Sequence, residues 1–298
     1  MRILLTGGTG LIGKHFIQSY PDFNYTVVTR SPDKYSQSEN MNYISQDQLE
    51  QLTDIDAVIN LQGENLFAKR WNQVQKAVIR QSRLAITEKL VDLINQRVIT
   101  PKAFISGSAI GFYGRQTIKN IAEDFNQPYV EYSHTLCQDW ENTAAKASDH
   151  CRVCLLRTGI VLSTKGGALQ QMLPTFKLGL GSTIASGQQY MSWIHIDDMV
   201  AAIHFILTQP SINGAVNATA PNPVTNIEFS HCLANVLSRP CWLPLPATIA
   251  RLMLGEVADI LIHGQHVIPQ KLADHGFTFS YPTLSTALHA LLKKRIRS

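Results

Sequence analysis

Apolar residues in this chain fall into short unbroken runs, set between stretches of helical period. Arg2-Ile3-Leu4-Leu5, Tyr25-Thr26-Val27-Val28-Thr29, Asp56-Ala57-Val58-Ile59-Asn60-Leu61, Lys102-Ala103-Phe104-Ile105-Ser106 and Arg152-Val153-Cys154-Leu155-Leu156 read as buried strands. Leu11, Ile12, His15 and Phe16 repeat with the spacing of a helix face. A long helix is predicted from Gln73 to Gln96, with Val74, Ala77, Val78, Ala85, Leu90 and Leu93 inward, and another from about Ser133 to Ser148. Strands alternating with amphipathic helices predict an α/β fold: a doubly wound parallel sheet of the Rossmann type, helices on both faces.

After about Gly159 the pattern changes. Glycines crowd at Gly166-Gly167 and in Lys177-Leu178-Gly179-Leu180-Gly181, and prolines at Pro221, Pro223, Pro240, Pro244 and Pro246. Short helices are expected at Asp197–Leu207 and Asn226–Leu237. This predicts residues 1–160 as the dinucleotide-binding domain, its sheet open to completion by later segments. Residues 161–298 then form a smaller α/β lobe over the strand ends, where an open sheet binds ligands.

The turn between the first strand and the first helix carries the chemistry. It reads Thr6-Gly7-Gly8-Thr9-Gly10-Leu11-Ile12-Gly13. One glycine permits the tight turn, another lets backbone approach a pyrophosphate, and a third lets helix pack on strand. The helix from Gly10 then aims free N–H groups at the phosphates. The next strand ends Thr29-Arg30-Ser31-Pro32, with no acid at its end for a ribose 2′-hydroxyl. Arg30 suits a 2′-phosphate, and Asp33 lies beyond Pro32, so NADP(H) is the expected cofactor.

Composition narrows the remaining classes. At 45% hydrophobic and 16% charged, the chain can bury a sizeable core. Its net charge of +4 is scattered, so nucleic acid is not an expected partner. The basic run Lys293-Lys294-Arg295-Ile296-Arg297 reads as a solvated helix end. No apolar run approaches a membrane span, so no membrane partner is expected. The chain opens on its first strand rather than a signal peptide, and its five cysteines are odd in number and scattered. Both features predict a cytoplasmic protein. Cys151 and Cys154 have a redox spacing but fall on opposite faces of a strand. His263-Gly264-Gln265-His266 is a weak metal spacing, so no metal site is expected. Ser106-Gly107-Ser108-Ala109-Ile110 lacks the first glycine of a hydrolase elbow.

Several segments resemble the extended short-chain dehydrogenase/reductases, which include the nucleotide-sugar epimerases. They are the glycine turn, Phe104–Gly114 with its strand-end serine and Tyr-Gly pair, and Trp193-Ile194-His195-Ile196-Asp197-Asp198. Gly63-Glu64-Asn65, Lys69-Arg70-Trp71, Ser82-Arg83, Leu178–Gly181 and Arg251–Glu256 resemble an atypical branch, the "NAD-dependent epimerase family protein" group. That branch carries a C-terminal domain of unknown function, matched here from about 244 to 292 through Gly264–Pro269 and Gly276-Phe277. The resemblance covers essentially the whole chain and implies NADP(H). Besides Gly7, Thr9, Gly10, Leu11, Ile12 and Gly13, it implies Thr29 and Arg30 at the adenosine ribose, Leu61 and Gln62 on the other side, Arg83 approaching the cofactor, and Ile160 near the nicotinamide. It also makes a homodimer possible.

The usual mechanism of these enzymes needs Tyr-x-x-x-Lys on one helix face, the lysine lowering the tyrosine pKa. No lysine here has a tyrosine four positions before it. Placed on Tyr132, the lysine position is Leu136; aligned on Glu141, the pair becomes Ser133 and Cys137. Ser108 and Tyr113 remain as catalytic candidates, although Ser108 can equally satisfy backbone groups and Tyr113 line a pocket. His195 and Asp197 form an acid/base pair on paper, but Asp197 is more simply a helix cap. His134 is a substitute base in reach of Tyr132. Two functions fit: an NADP(H)-dependent oxidoreductase or isomerase of an unidentified small molecule that has replaced the pair, or a non-catalytic NADP(H)-binding or sensing protein.

Overall fold

In the first strand, β1 (Arg2–Thr6), alternate side chains face opposite ways, and this organises two cores. Ile3 and Leu5 join one buried cluster with Phe16, while Leu4 joins another with Ile86 and Leu90. The computed structural model describes residues 1–242 and 244–293. Residues 294–297 of the basic terminal run lie outside the described residues.

The chain continues through α1 (Leu11–Ser19), β2 (Asn24–Val28), β3 (Met41–Ile44), β4 (Ala57–Asn60), α2 (Gln73–Asn95), β5 (Ala103–Ala109), α3 (Tyr132–Ala145) and β6 (Arg152–Thr158). Next come β7 (Ile160–Leu162), α4 (Gly167–Lys177), β8 (Tyr190–Met191), β9 (Trp193–His195), α5 (Ile196–Thr208), β10 (Gly214–Ala218), β11 (Val224–Thr225) and α6 (Asn226–Val236). The helices α7 (Ala247–Leu254), α8 (Ala258–Ile262), α9 (Gln270–Asp274) and α10 (Leu284–Leu292) complete it.

Seven strands form one parallel sheet in the order β10-β6-β5-β4-β1-β2-β3. The reversal between β1 and β4 is the switch point where such sheets bind their ligands. Helices α1 and α5 cover one face, and α2 and α3 the other. The predicted α/β doubly wound sheet is therefore present. Its seventh strand, β10, comes from beyond residue 160. A third core packs α4, α6 and α10 around Trp193 and Phe229, with the parallel pair β7–β9 and the antiparallel pair β8–β11 beside them.

One expectation fails in detail. Val74, Ala77 and Val78, predicted to face inward on α2, are exposed, and Gln75 and Ile79 are buried instead. The inward stripe runs Gln75, Ile79, Ile86, Leu90, so the helix is rotated by about one residue from the phase the valines suggest.

Candidate functional site

The glycine turn is shaped by backbone contact. Gly7 has φ +70°, the left-handed region. A Cβ there would lie 2.7 Å from the Leu61 carbonyl carbon and 2.9 Å from the Gln62 nitrogen. Gly13 packs its α-carbon against the same turn: a Cβ would come within 2.5 Å of the Gly7 oxygen. Gly10 differs. It is the residue before α1, with extended backbone (φ −80°, ψ −178°), and no side chain caps the helix behind it. A Cβ on Gly10 would meet only the Gly7 oxygen, at 3.1 Å. The first turn of α1 therefore offers N–H groups with no capping side chain, beside a cradle that only glycine leaves open. These are features a pyrophosphate needs, and the residues present fit a dinucleotide. Thr9, Leu11 and Ile12 belong to this turn and helix start.

Arg30 is exposed just past β2, and no acid pairs with it among the described residues. Thr29 is held by its N–H donating to the Ile44 carbonyl at 2.8 Å, while its hydroxyl accepts from the Ser31 N–H. Leu61 and Gln62 continue β4 alongside the turn. Arg83, on α2, sits under the next residue: a Cβ on Gly63 would lie 2.9 Å from its guanidinium carbon. It donates to the Glu64 carbonyl at 3.0 Å and to the Ile79 carbonyl at 3.0 Å, and lies over the Trp140 ring. Burial lowers its pKa, opposed by the neighbouring Cys137, Tyr132 and Glu64. Ile160 opens β7, its N–H donating to the Ser192 carbonyl. Nearby, Gly166 lies against the Leu11 side chain.

The strand-end serine and tyrosine are both engaged. Ser108 donates to Glu141 Oε1 at 2.7 Å. Glu141 is gripped by Arg157, Nε to Oε1 and Nη2 to Oε2, both at 2.8 Å, with both side chains about 6% exposed. The Arg157 guanidinium lies 3.5 Å from the Phe112 ring centre and donates to the Tyr113 hydroxyl at 3.0 Å. Tyr113 in turn donates to Asn217 Oδ1 at 2.7 Å. Tyr113 is fully buried, and desolvation pushes its pKa up to about 12, against the lowering effect of Arg157. It is a phenol at neutral pH and not a ready base. Sequence reasoning assigned Arg157 no role at the site. Glu141 and Asn217 gave no signal of this network, because its members come from α3, β6 and β10.

On α3 the structure decides which face meets the strand end. The Ser133 Cβ and Cys137 Sγ lie 3.3 and 3.6 Å from a Cβ placed on Gly111. Tyr132 instead turns toward α2, donating to the Lys76 carbonyl at 2.9 Å and packing edge-on against Trp71. The pair on the strand-end face is thus Ser133 and Cys137. The Ser133 hydroxyl donates to Glu131, whose other oxygen holds Arg115 at 3.0 Å. Burial, reinforced by Glu141, pushes the Cys137 thiol up to about 12, so it is not a thiolate. His134 is buried, its Nδ1 bonded to the Phe112 carbonyl at 2.5 Å.

The cap of α5 also differs from expectation. His195, not Asp197, is the capping residue: its Nδ1 accepts from the Asp197 N–H at 3.1 Å. Asp197 lies in the first helical turn and bonds His15 of α1 at 2.6 Å. Asp198 accepts from the backbone N–H groups of Ser280 and Tyr281, tying down the approach to α10. All five cysteines are free, and no cluster of three metal-ligating side chains occurs among the described residues.

Comparison with known proteins agrees with this geometry. Residues 3–218 match the NAD dependent epimerase/dehydratase family, and residues 245–291 match a domain of unknown function, DUF1731. The chain is 38% identical to the chloroplastic epimerase family protein SDR39U1 homolog of Arabidopsis thaliana, over 98% of this chain and 87% of that one. It superposes on the crystal structure of human epimerase family protein SDR39U1 (isoform 2) with NADPH at a TM-score of 0.90 and 32% identity, covering 98% of this chain and 99% of that one. UDP-glucuronic acid 4-epimerase from Bacillus cereus, at 16% identity, TM-score 0.76 and 98% coverage of both chains, shares the fold.

Proposed function

The chain belongs to the NAD dependent epimerase/dehydratase family, and on that premise we propose that it binds NADP(H) and acts as an oxidoreductase or isomerase on a small molecule. The observation that carries the reading is the glycine cradle closed by backbone on one side, with Arg30 unpaired at the end of β2. Human SDR39U1, similar over nearly its whole length, was crystallised with NADPH, which supports the phosphorylated dinucleotide. Thr29 and Arg30 would hold the adenosine ribose and its 2′-phosphate, and the N–H groups of Thr9, Leu11 and Ile12 the pyrophosphate, the Gly10 N–H being bonded to the Gly7 carbonyl. Leu61, Gln62 and Arg83 would line the cofactor from the β4 side, and Ile160 the nicotinamide. Bound NADP(H) supplies hydride chemistry.

The fate of a proton is set by the chain's own groups. On the Glu141 alignment Ser133, hydrogen-bonded to Glu131, takes the place of the tyrosine of the usual pair and Cys137 that of the lysine, and these two side chains face the strand end. A neutral thiol does not lower a neighbour's pKa as an ammonium does. Tyr113 and Ser108 are held by Arg157 and Glu141. That observation favours a second reading, an NADP(H)-binding sensor without turnover.

Two measurements test the proposal. Titration calorimetry should give tighter NADPH than NADH binding; equal affinities would refute the cofactor assignment. Incubation of the NADPH-loaded or NADP-loaded protein with metabolite pools, followed at the nicotinamide absorbance, separates enzyme from sensor. With UDP-glucose or UDP-galactose the expected epimerisation is far below a typical ~10 per second. Turnover at that rate would show that another group replaces the lost pair.

A further inference from the structure

Three stretches remote in sequence, residues 67–70, 177–180 and 239–253, bring exposed apolar side chains together beside the C-terminal end of β4. Trp242 is 85% exposed, and Leu178 and Leu252 are each 75% exposed. Leu180, Met253 and Phe67 add to them. Contacts join the stretches in two pairs, which the chain from Leu245 into α7 connects as one rim. Gly179 lies beside Pro240, Ile184 bridges to Leu245, and Arg70 donates to the Leu252 and Met253 carbonyls at 2.6 and 2.8 Å. The loop carrying Phe67 and Arg70 leaves the cofactor-side end of β4 and returns through Trp71, which packs on Tyr132 at the start of α3. The rim therefore stands beside the mouth of the proposed cofactor cleft. On α7 only Ala250 is buried, so this helix turns most of its apolar surface outward.

Each segment also carries an exposed cation. Lys69 and Arg70 follow Phe67, Lys177 precedes Leu178, Arg239 precedes Trp242, and Arg251 precedes Leu252. The acids nearby, Glu256 and Asp259, are already paired with Lys76 and Arg251. Scattered exposed leucines need no explanation, but a contiguous apolar rim does. An apolar band fringed by lysine and arginine has the composition of a surface that enters the headgroup region of a membrane. A tryptophan at its edge suits that boundary. A second copy of the chain is the less favoured occupant, because it would bring Lys69, Arg70, Lys177 and Arg239, which no acid pairs with among the described residues, against cations of the same sign.

We propose that this rim is a docking surface for an anionic lipid bilayer, on which the protein rests peripherally with its cleft mouth toward the lipid. The inference is independent of the cofactor assignment. A search for membrane spans cannot find such a surface, since no segment supplies more than a few of its apolar side chains; among the described residues no helix is long and apolar enough to cross a membrane.

The test is flotation of the full chain with vesicles of phosphatidylcholine and phosphatidylglycerol in equal amounts, against phosphatidylcholine alone. Binding is expected to the anionic vesicles only and to be lost at high salt. The Trp242 emission should move to the blue, and Trp242→Phe should abolish the shift. Lys177→Glu and Arg239→Glu should each weaken binding about fivefold or more, and Leu252→Asp should abolish it. These side chains are exposed, so melting temperature and NADPH affinity should stay unchanged. Equal binding to both vesicle types, or binding to neither, would overturn the proposal. So would a concentration-dependent doubling of mass by light scattering that Leu252→Asp abolishes without any vesicle binding, which would assign the rim to a second copy.

Discussion

Replacing Gly10 by valine should separate the proposed cofactor cradle from the fold. Gly10 already has extended backbone, so a side chain there meets no left-handed strain. Its one close neighbour is the Gly7 oxygen at 3.1 Å, a contact that relaxes by a few tenths of an ångström. Valine is a poorer helix cap than glycine, at a cost of about 1 kcal/mol. For a chain of this size that lowers Tm by roughly 2 °C. The methyl groups, however, occupy the approach to the N–H groups of α1. NADPH binding should fall at least about a hundredfold, or ~2.7 kcal/mol. Gly13→Val is the contrasting variant. Its Cβ would fall 2.5 Å from the Gly7 oxygen and 2.6 Å from the Gly8 α-carbon, both backbone. Neither can swing aside, so a loss of about 3 kcal/mol in stability is expected. Scanning calorimetry and NADPH titration on both variants provide the assay. Normal NADPH binding by Gly10→Val would refute the cradle. Equal melting losses for the two variants would show that Gly10 is a packing residue.

Three further outcomes are expected. Arg30→Ala should weaken NADPH roughly ten- to a hundredfold and leave NADH nearly unchanged, since a charged hydrogen bond contributes about 1.5–3 kcal/mol; a uniform loss for both would place Arg30 away from the 2′-phosphate. Arg157→Met strands a buried carboxylate and should cost about 3–5 kcal/mol, most of it recovered by adding Glu141→Met; urea unfolding checks both. Burial depresses the His195 pKa from 6.5 to about 4, against the opposing pull of Asp197. The unfolded state therefore takes up a proton that the folded state refuses. This contribution to stability is full above pH 6.5 and lost as pH falls toward about 4. His195→Asn keeps an acceptor for the helix cap and should flatten that part of the calorimetric pH profile; an unaltered slope would refute it.

What the sequence revealed was mostly local. The strand, glycine turn and helix from Arg2 to Ser19 are contiguous, and each glycine position has its own steric reason, so the cradle was legible residue by residue. Arg30 could be singled out because an acid is either present at a strand end or not. The phase of α2 was misread because Val74 and Val78 obey helical spacing, yet Ile86 and Leu90 farther along set the buried stripe. Strand β3 was missed: Met41-Asn42-Tyr43-Ile44 is a short edge strand with only Ile44 buried. Strand β10, Gly214-Ala215-Val216-Asn217-Ala218, carries one large apolar residue and buries its polar Asn217 in the Tyr113 network. The Ser108–Glu141–Arg157 chain depends on α3 crossing β5 and β6, which no spacing in one segment encodes. The choice between Tyr132 and Ser133 on α3 likewise needed the position of Gly111.

The late arrival of β10 has a consequence for biosynthesis. When β6 leaves the ribosome, its outer edge has hydrogen-bonding groups that only residues 214–218 will satisfy. Meanwhile Asn217 must still reach Tyr113, and Glu123 must wait for the Lys271 backbone N–H. The N-terminal half thus emerges as an open-edged intermediate for more than fifty residues of elongation. At ~5–20 residues per second it stays exposed for several seconds, long enough for a chaperone to engage the edge. A nascent chain stalled before residue 214 should be protease-sensitive at β6 and aggregation-prone, and one stalled well past residue 218 should be neither.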